Sequence, residues 1–130
     1  MQEQDLFEYA VIRVVPRVER EEFLNVGIIL LCSRQKFIGT CILMDEKRLK
    51  SLCPGVDLDV LKEHIVSFER VCAGGPQGGQ IGLLSIAERF RWLTASRSTV
   101  IQTSKVHPGL CLDAQQMLAH LVKTLVECSE

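Results

Sequence analysis

The chain has 130 residues, 47% of them hydrophobic, with 15 Lys plus Arg against 16 Asp plus Glu. That is the length of one domain, able to bury about two-thirds of its unfolded surface. The balanced charge excludes a global basic field that would draw it to nucleic acid or a membrane, so any anion site must be local.

Phe7 to Pro16 is rich in β-branched and aromatic residues and predicts a strand that Pro16 ends. Tyr9, Val11, Arg13 and Val15 share one face and Ala10, Ile12 and Val14 the other. Both faces are largely apolar, which predicts a central strand covered on both sides. Val26 to Cys32 is a second strand, Ser33 to Lys36 a polar turn, and Phe37 to Leu43 a third strand, together a β-meander. Gly27 within the second strand points to a bulge or a close backbone approach.

After Met44 the period changes. Asp45 caps a short helix over Glu46 to Leu52, stopped by Pro54-Gly55. Leu58, Leu61, Ile65, Phe68 and Cys72 form one face of a longer helix, with Asp57 as N-cap and Gly74 just past its end. Ser85-Ile-Ala-Glu88 spells a capping box for the next helix, through Arg89, Phe90 and Trp92. Ser98 to Ser104 reads as a fourth, less buried strand, and His107-Pro-Gly109 as a turn. Asp113 caps a last amphipathic helix whose Leu118, Leu121, Val122 and Leu125 face inward. Each apolar face needs a covering layer, so the fold class is α+β. It is a single domain with a mainly antiparallel four-stranded sheet, a β-meander plus one late strand, packed with three to four helices.

The longest apolar run, Val26 to Cys32, is too short to span a bilayer. The polar, acidic opening Met1-Gln-Glu-Gln-Asp5 predicts no secretory leader, so a soluble, cytoplasmic protein is expected. Cys32, Cys41, Cys53, Cys72, Cys111 and Cys128 include no C-x-x-C pair and no paired His spacing, which predicts neither a metal site nor a disulfide framework. They read as small buried hydrophobes. A hairpin turn at Ser33 to Lys36 sets Cys32 opposite Phe37 and Cys41 opposite Ile28.

Two polar clusters stand out. The joint between the first two strands carries Arg13, Arg17 and Arg20 among Glu19, Glu21 and Glu22, followed by Asn25. A strand guanidinium cannot be buried alone without large cost. It belongs to an internal ion pair with one of those glutamates, or to a fork for a carboxylate, phosphate or partner group. The second cluster runs from Arg89 through Arg91, Arg97, Ser98, Thr99, Gln102 and Lys105 to His107, with no acidic residue, and suits an anion or a nucleic-acid backbone. Its bland counterpart is a core Phe90 and Trp92 beside hydroxyls on an exposed strand.

The glycine-rich segment Gly74 to Gly82 follows a helix and lacks the lysine of a phosphate loop. It reads as a helix–helix connector, or more sharply as a lid over a site. Ser98 or Thr99 with His107 has no nucleophile elbow, His64 and His120 read as structural, and the carboxylates do not cluster as a two-metal site needs. No motif demands catalysis or a cofactor.

The segment Glu8 to Gly27, with Cys72-Ala-Gly-Gly-Pro76, Arg89-Phe-Arg-Trp92, Arg97-Ser-Thr99, Gln102 and His107-x-Gly109, resembles a bacterial family known as a domain of unknown function, numbered three thousand and thirty-seven. The resemblance covers nearly the whole chain. It implies no chemistry. It does imply a protein partner, since genes of this family lie beside HipA-like serine/threonine kinases. The leading expectation is therefore a binding or regulatory module acting with a protein partner. An arginine-rich nucleic-acid or nucleotide-phosphate binder, with or without hydrolysis, is the less favoured alternative. The candidate binding residues are Arg13, Arg17, Arg20, Glu22, Asn25, Arg89, Arg97, Ser98, Thr99, Gln102 and His107.

Overall fold

A computed structural model describes residues 3–127. The strands are β1 (Asp5–Val14), β2 (Leu24–Cys32), β3 (Phe37–Ile42), β4 (Ile101–Thr103) and β5 (His107–Cys111). The helices are α1 (Glu46–Leu52), α2 (Leu58–Ala73), α3 (Ile86–Leu93) and α4 (Ala114–Leu125). All strand pairings are antiparallel, in the order β3-β2-β1 with β4 and β5 both along the far edge of β1. Each helix begins at its predicted cap. Asp45, Asp57, Ser85 and Asp113 accept backbone N–H groups of the first turn, which offsets donors that a helix start leaves orphaned.

β1 is central and buried on both faces because its alternation is apolar both ways. Ala10, Ile12 and Val14 pack with Val26, Ile29 and Leu31 under α2 and α3. Phe7 and Val11 pack with Ile28, Leu30 and Cys32 against Leu118 and Val122 of α4. Leu121 joins that second cluster, whereas Leu125, expected inward, is exposed. The register slips between Ile12 and Arg13, so Val26 is the extra residue of a β-bulge, beside Gly27. Gly27 also allows a close approach, since a Cβ there would lie 2.6 Å from the Cys41 carbonyl oxygen.

The sheet has five strands rather than four. The late strand is shorter than expected, Ile101 to Thr103 instead of Ser98 to Ser104, and His107-Pro-Gly109 is not a turn but the start of β5. Turn chemistry misled here because both residues have strand-specific roles. Pro108 sits opposite Glu8 on an edge strand, the place where a missing N–H is tolerated. Gly109 sits opposite Phe7, whose ring fills the space of a Cβ, with Cζ 2.5 Å from where it would stand. Between β4 and β5 the ladder on β1 is interrupted, and Ser104 patches it. Its N–H donates to the Val11 carbonyl at 2.8 Å, and its Oγ accepts the Val11 N–H at 2.8 Å.

The described cysteines are free thiols. Cys32, Cys72 and Cys111 are buried, while Cys41 and Cys53 are half-buried. Cys32 lies opposite Phe37 and Cys41 opposite Ile28, in the expected register. Cys128 falls outside the described residues. Burial pushes the Cys72 thiol up to about 11, against a smaller lowering by the Arg89 charge, and burial followed by the neighbouring Cys32 pushes Cys111 up to about 11.

Two outcomes follow for the fold. Ser104→Ala leaves the buried Val11 N–H without its acceptor and is expected to lower stability by about 1–3 kcal/mol. Urea unfolding at unchanged m reads it, and no change in midpoint would contradict this role for the hydroxyl. The raised thiols set the alkaline limit. Below an ordinary thiol value of 9.0 both states hold their protons, and above it the unfolded thiols ionise while the folded ones stay protonated up to about 11. Stability should therefore fall as pH rises between those values, and Cys72→Ala should flatten that decline in a pH series of melting curves.

Candidate functional site

α4 lies over β2 and β3, which leaves the same face of the sheet less covered along β1, β4 and β5. The α4-side residues of that strip are Tyr9, Arg13, Gln102 and His107. Pairing sets Gln102 on one side of Arg13 and Asn25 on the other, with His107 opposite Tyr9. Tyr9 and His107 stack with ring centroids 5.4 Å apart. Tyr9 and Arg13 are four residues apart on one strand face, so the strip is roughly 13 Å long.

Arg13 is its centre. Its guanidinium carbon lies 4.1 Å from the centre of the Phe23 ring, and Phe23 itself is 46% exposed. Arg13 Nε is buried and, among the described residues, has no hydrogen-bond partner. No carboxylate of the described residues forms an ion pair with it. Beside it, Asn25 donates Nδ2–H to the Leu125 carbonyl at 3.3 Å, while its Oδ1 is buried without a donor among the described residues. Gln102 is held by its Nε2–H on the Thr99 carbonyl at 2.9 Å. The last turn of α4 is fastened here, since Arg48 also donates to the Val126 carbonyl at 3.4 Å.

The other candidates separate. Arg17, Arg20 and Glu22 line a cavity of about 210 Å³ against Cys53, Pro54 and Gly55, on a joint that makes a short 3-10 turn over Val18–Arg20. Arg20 donates there to Glu22. Arg89 is only 8% exposed, its Nε has no partner among the described residues, and its guanidinium presses on Gly74. Arg91 forks onto Glu8 with bonds of 2.9 and 2.7 Å, which raises its pKa through that hydrogen bond. Arg97 stacks on Trp92 at 4.1 Å, donates to the Trp92 carbonyl, and has its pKa lowered by burial. Ser98 is exposed, and Thr99 turns its hydroxyl onto the Ile101 carbonyl at 2.7 Å. The basic residues from Arg89 to His107 therefore do not form one positive surface.

Gly74 to Gly82 folds back on itself and on α2. The Gly75 N–H donates to the Gly82 carbonyl at 2.8 Å, and a Cβ at Gly78 would meet the Arg70 carbonyl oxygen at 2.9 Å. The segment belongs to the α2–α3 side of the sheet, away from Arg13, and does not cover the strip. His64 and His120 are exposed on their helices. Among the described residues no three His, Cys, Asp or Glu side chains group to hold a metal ion. Sequence reasoning left Tyr9 and Phe23 out of the site. Tyr9 was legible, because it shares a strand face with Arg13; Phe23 was not, since only the joint's path swings it over the guanidinium.

The chain matches a family described as Protein of unknown function (DUF3037) over residues 9–126. It belongs to that family. No curated protein and no solved structure matches it.

Among the described residues the Arg13 side chain has no ionic or hydrogen-bond partner through which it would stabilise the fold. Arg13→Met removes an unpartnered buried donor and strands no carboxylate, so unfolding free energy should stay within about 1 kcal/mol of wild type or rise. A loss of about 3–5 kcal/mol in chemical unfolding would instead reveal a buried ionic partner.

Proposed function

We propose that this protein is a binding or regulatory module that docks a protein partner on the strip centred on Arg13. The observation that carries the reading is the pairing of an unpartnered, half-buried arginine with an exposed phenylalanine. Arginine and large aromatics dominate the energetics of protein interfaces, where a partner completes their desolvation. Tyr9 and His107 extend the same surface, and Phe23 with Leu125 supplies an apolar rim. A cytoplasmic HipA-like serine/threonine kinase is the partner class that the family resemblance suggests.

Nucleic acid is supported less. Glu8 and Glu22 neutralise Arg91 and Arg20, Arg89 is buried, and Glu19 and Glu21 flank the arginine joint. A phosphate backbone needs several free cations on one surface.

Quantitative co-purification from the protein's own host tests the reading. Tagged wild type should hold one partner at fixed stoichiometry, whereas Arg13→Met and Phe23→Ala, both folded by circular dichroism, should lose it at least tenfold. Retention of the same partner by both variants would place its surface elsewhere. Nucleic acid carried by wild type and released by salt would favour the second reading.

A further inference from the structure

β1 runs along one edge of β5, and among the described residues no strand lies along the other. Val11 directs its N–H and C=O to Ser104, on the β4–β5 side of β1, while Leu6 offers its C=O to Cys32 on the β2 side. Backbone groups alternate along a strand, so Asp5, Phe7 and Tyr9 turn theirs to Cys111, Gly109 and His107. The backbone groups of Pro108 and Leu110 therefore face outward, as does the Leu112 N–H, which a planar trans peptide sets opposite the Cys111 carbonyl.

Leu6 and Leu110 are cross-strand partners, 61% and 57% exposed, and Leu112 beside them is 55% exposed. Single exposed leucines are ordinary, but leucines gathered along an unpaired edge make a surface to which another strand adds. Leu110, Leu112, Met117 and His120 border an open groove of about 350 Å³ between that edge and α4, which leaves room for the addition.

We infer that β5 pairs antiparallel with β5 of a second copy, about a two-fold axis at Leu110, joining the two sheets into one. This interface stands apart from docking on the Arg13 strip and leaves Arg13 and Phe23, at the other end of β1, uncovered.

The free backbone groups fix the register. With Leu110 on the axis, each Leu110 N–H donates to the other copy's Leu110 carbonyl, and each Leu112 N–H to the other copy's Pro108 carbonyl. Pro108 has no N–H to return, and none is needed, because the Leu112 carbonyl already accepts Gln35 Nε2–H at 3.0 Å. Moving the axis to Gly109 sets the Leu110 carbonyl against Pro108, where no donor exists. Moving it to Cys111 calls on the Leu112 carbonyl and the Ala114 N–H, and Gln35 holds both, the second at 2.9 Å. A foreign strand is under no obligation to lack a donor opposite Leu112. β5 itself, with a proline at the matching place, does lack one.

The side chains agree with that register. On one face, Leu6 and Leu110 of both copies form a continuous apolar row across the axis. On the other, Gly109 meets Cys111 at a close pair, where a bare Cα and a buried thiol leave no obstruction, and the exposed His107 comes towards the exposed Asp113.

Sedimentation velocity between about 1 and 200 µM, the range in which small interfaces associate, should carry the 14.6 kDa chain to twice that mass. Leu110→Lys sets two ammonium groups on the axis and should weaken association about hundredfold or more, with the monomer still folded by circular dichroism. Leu6→Lys charges the same apolar row farther from the axis and should weaken it about tenfold, an independent check if the first variant fails to fold. Amide exchange reads the register. The Leu110 and Leu112 amides should be protected in the dimer and released on dilution, while Gly109 and Cys111, paired with β1, stay slow in both. A monomer throughout that range, a dimer that the folded variants keep, or a dimer whose Leu110 and Leu112 amides exchange freely overturns the inference. So does protection of those amides only while a different host protein is bound, which would give the edge to a foreign strand.

Discussion

β1 is hydrogen-bonded along both edges and, away from its Arg13 end, covered on both faces, and the rest of the fold is arranged around that demand. Ala10, Ile12 and Val14 require the α2–α3 layer, and Phe7 and Val11 require α4. A strand so enclosed has no inexpensive position for a charge, because an isolated buried ion is neutralised, paired or expelled. Arg13 is nevertheless on it, at the end where the bulge widens the strand and α4 has ended. The same geometry that buries Phe7 and Val11 delivers a guanidinium to the margin of the core, with its Nε buried and its face against Phe23.

The arginines of this chain show what the alternatives look like. Arg20 and Arg91 find glutamates at exposed positions, where such pairs are worth about 0–1 kcal/mol. Arg97 lies on Trp92 and Arg89 is folded under the glycine-rich connector, each serving the shape of its own neighbourhood. Arg13 has four glutamates within nine residues, Glu8, Glu19, Glu21 and Glu22, and forms an ion pair with none of them. If stability were the only requirement, a methionine would fill the same volume without an unsatisfied donor. An arginine held beside an exposed phenylalanine is what a surface needs when something else completes its desolvation.

Much of this was legible in the amino-acid order because local and global preferences agree. The two-faced alternation of β1, the Cys32 and Cys41 register and all four helix caps followed from periods and short-range hydrogen bonding. What failed were positions whose role is set by distant residues. Pro108 and Gly109 spell a turn locally, yet the ring of Phe7 and the vacant edge of β1 make them a strand. The two polar clusters read as comparable, but only parts of each meet. Arg13 and Asn25 come from one, Gln102 and His107 from the other, and the joint between β1 and β2 carries Arg17 and Arg20 off to a separate cavity.

That selection bears on the choice between a charge-driven and a shape-driven surface. Were the site a collector of anions, the fold would be expected to gather its cations. Instead it disperses them and keeps one, set between two amides that each give one N–H to a backbone carbonyl. A lone guanidinium so flanked contributes direction more than field strength, because its neighbours decide which hydrogen-bonding pattern can approach. Long-range attraction would add little in a chain of near-zero net charge, so the docking proposed for this surface would depend on close fit at the end of β1.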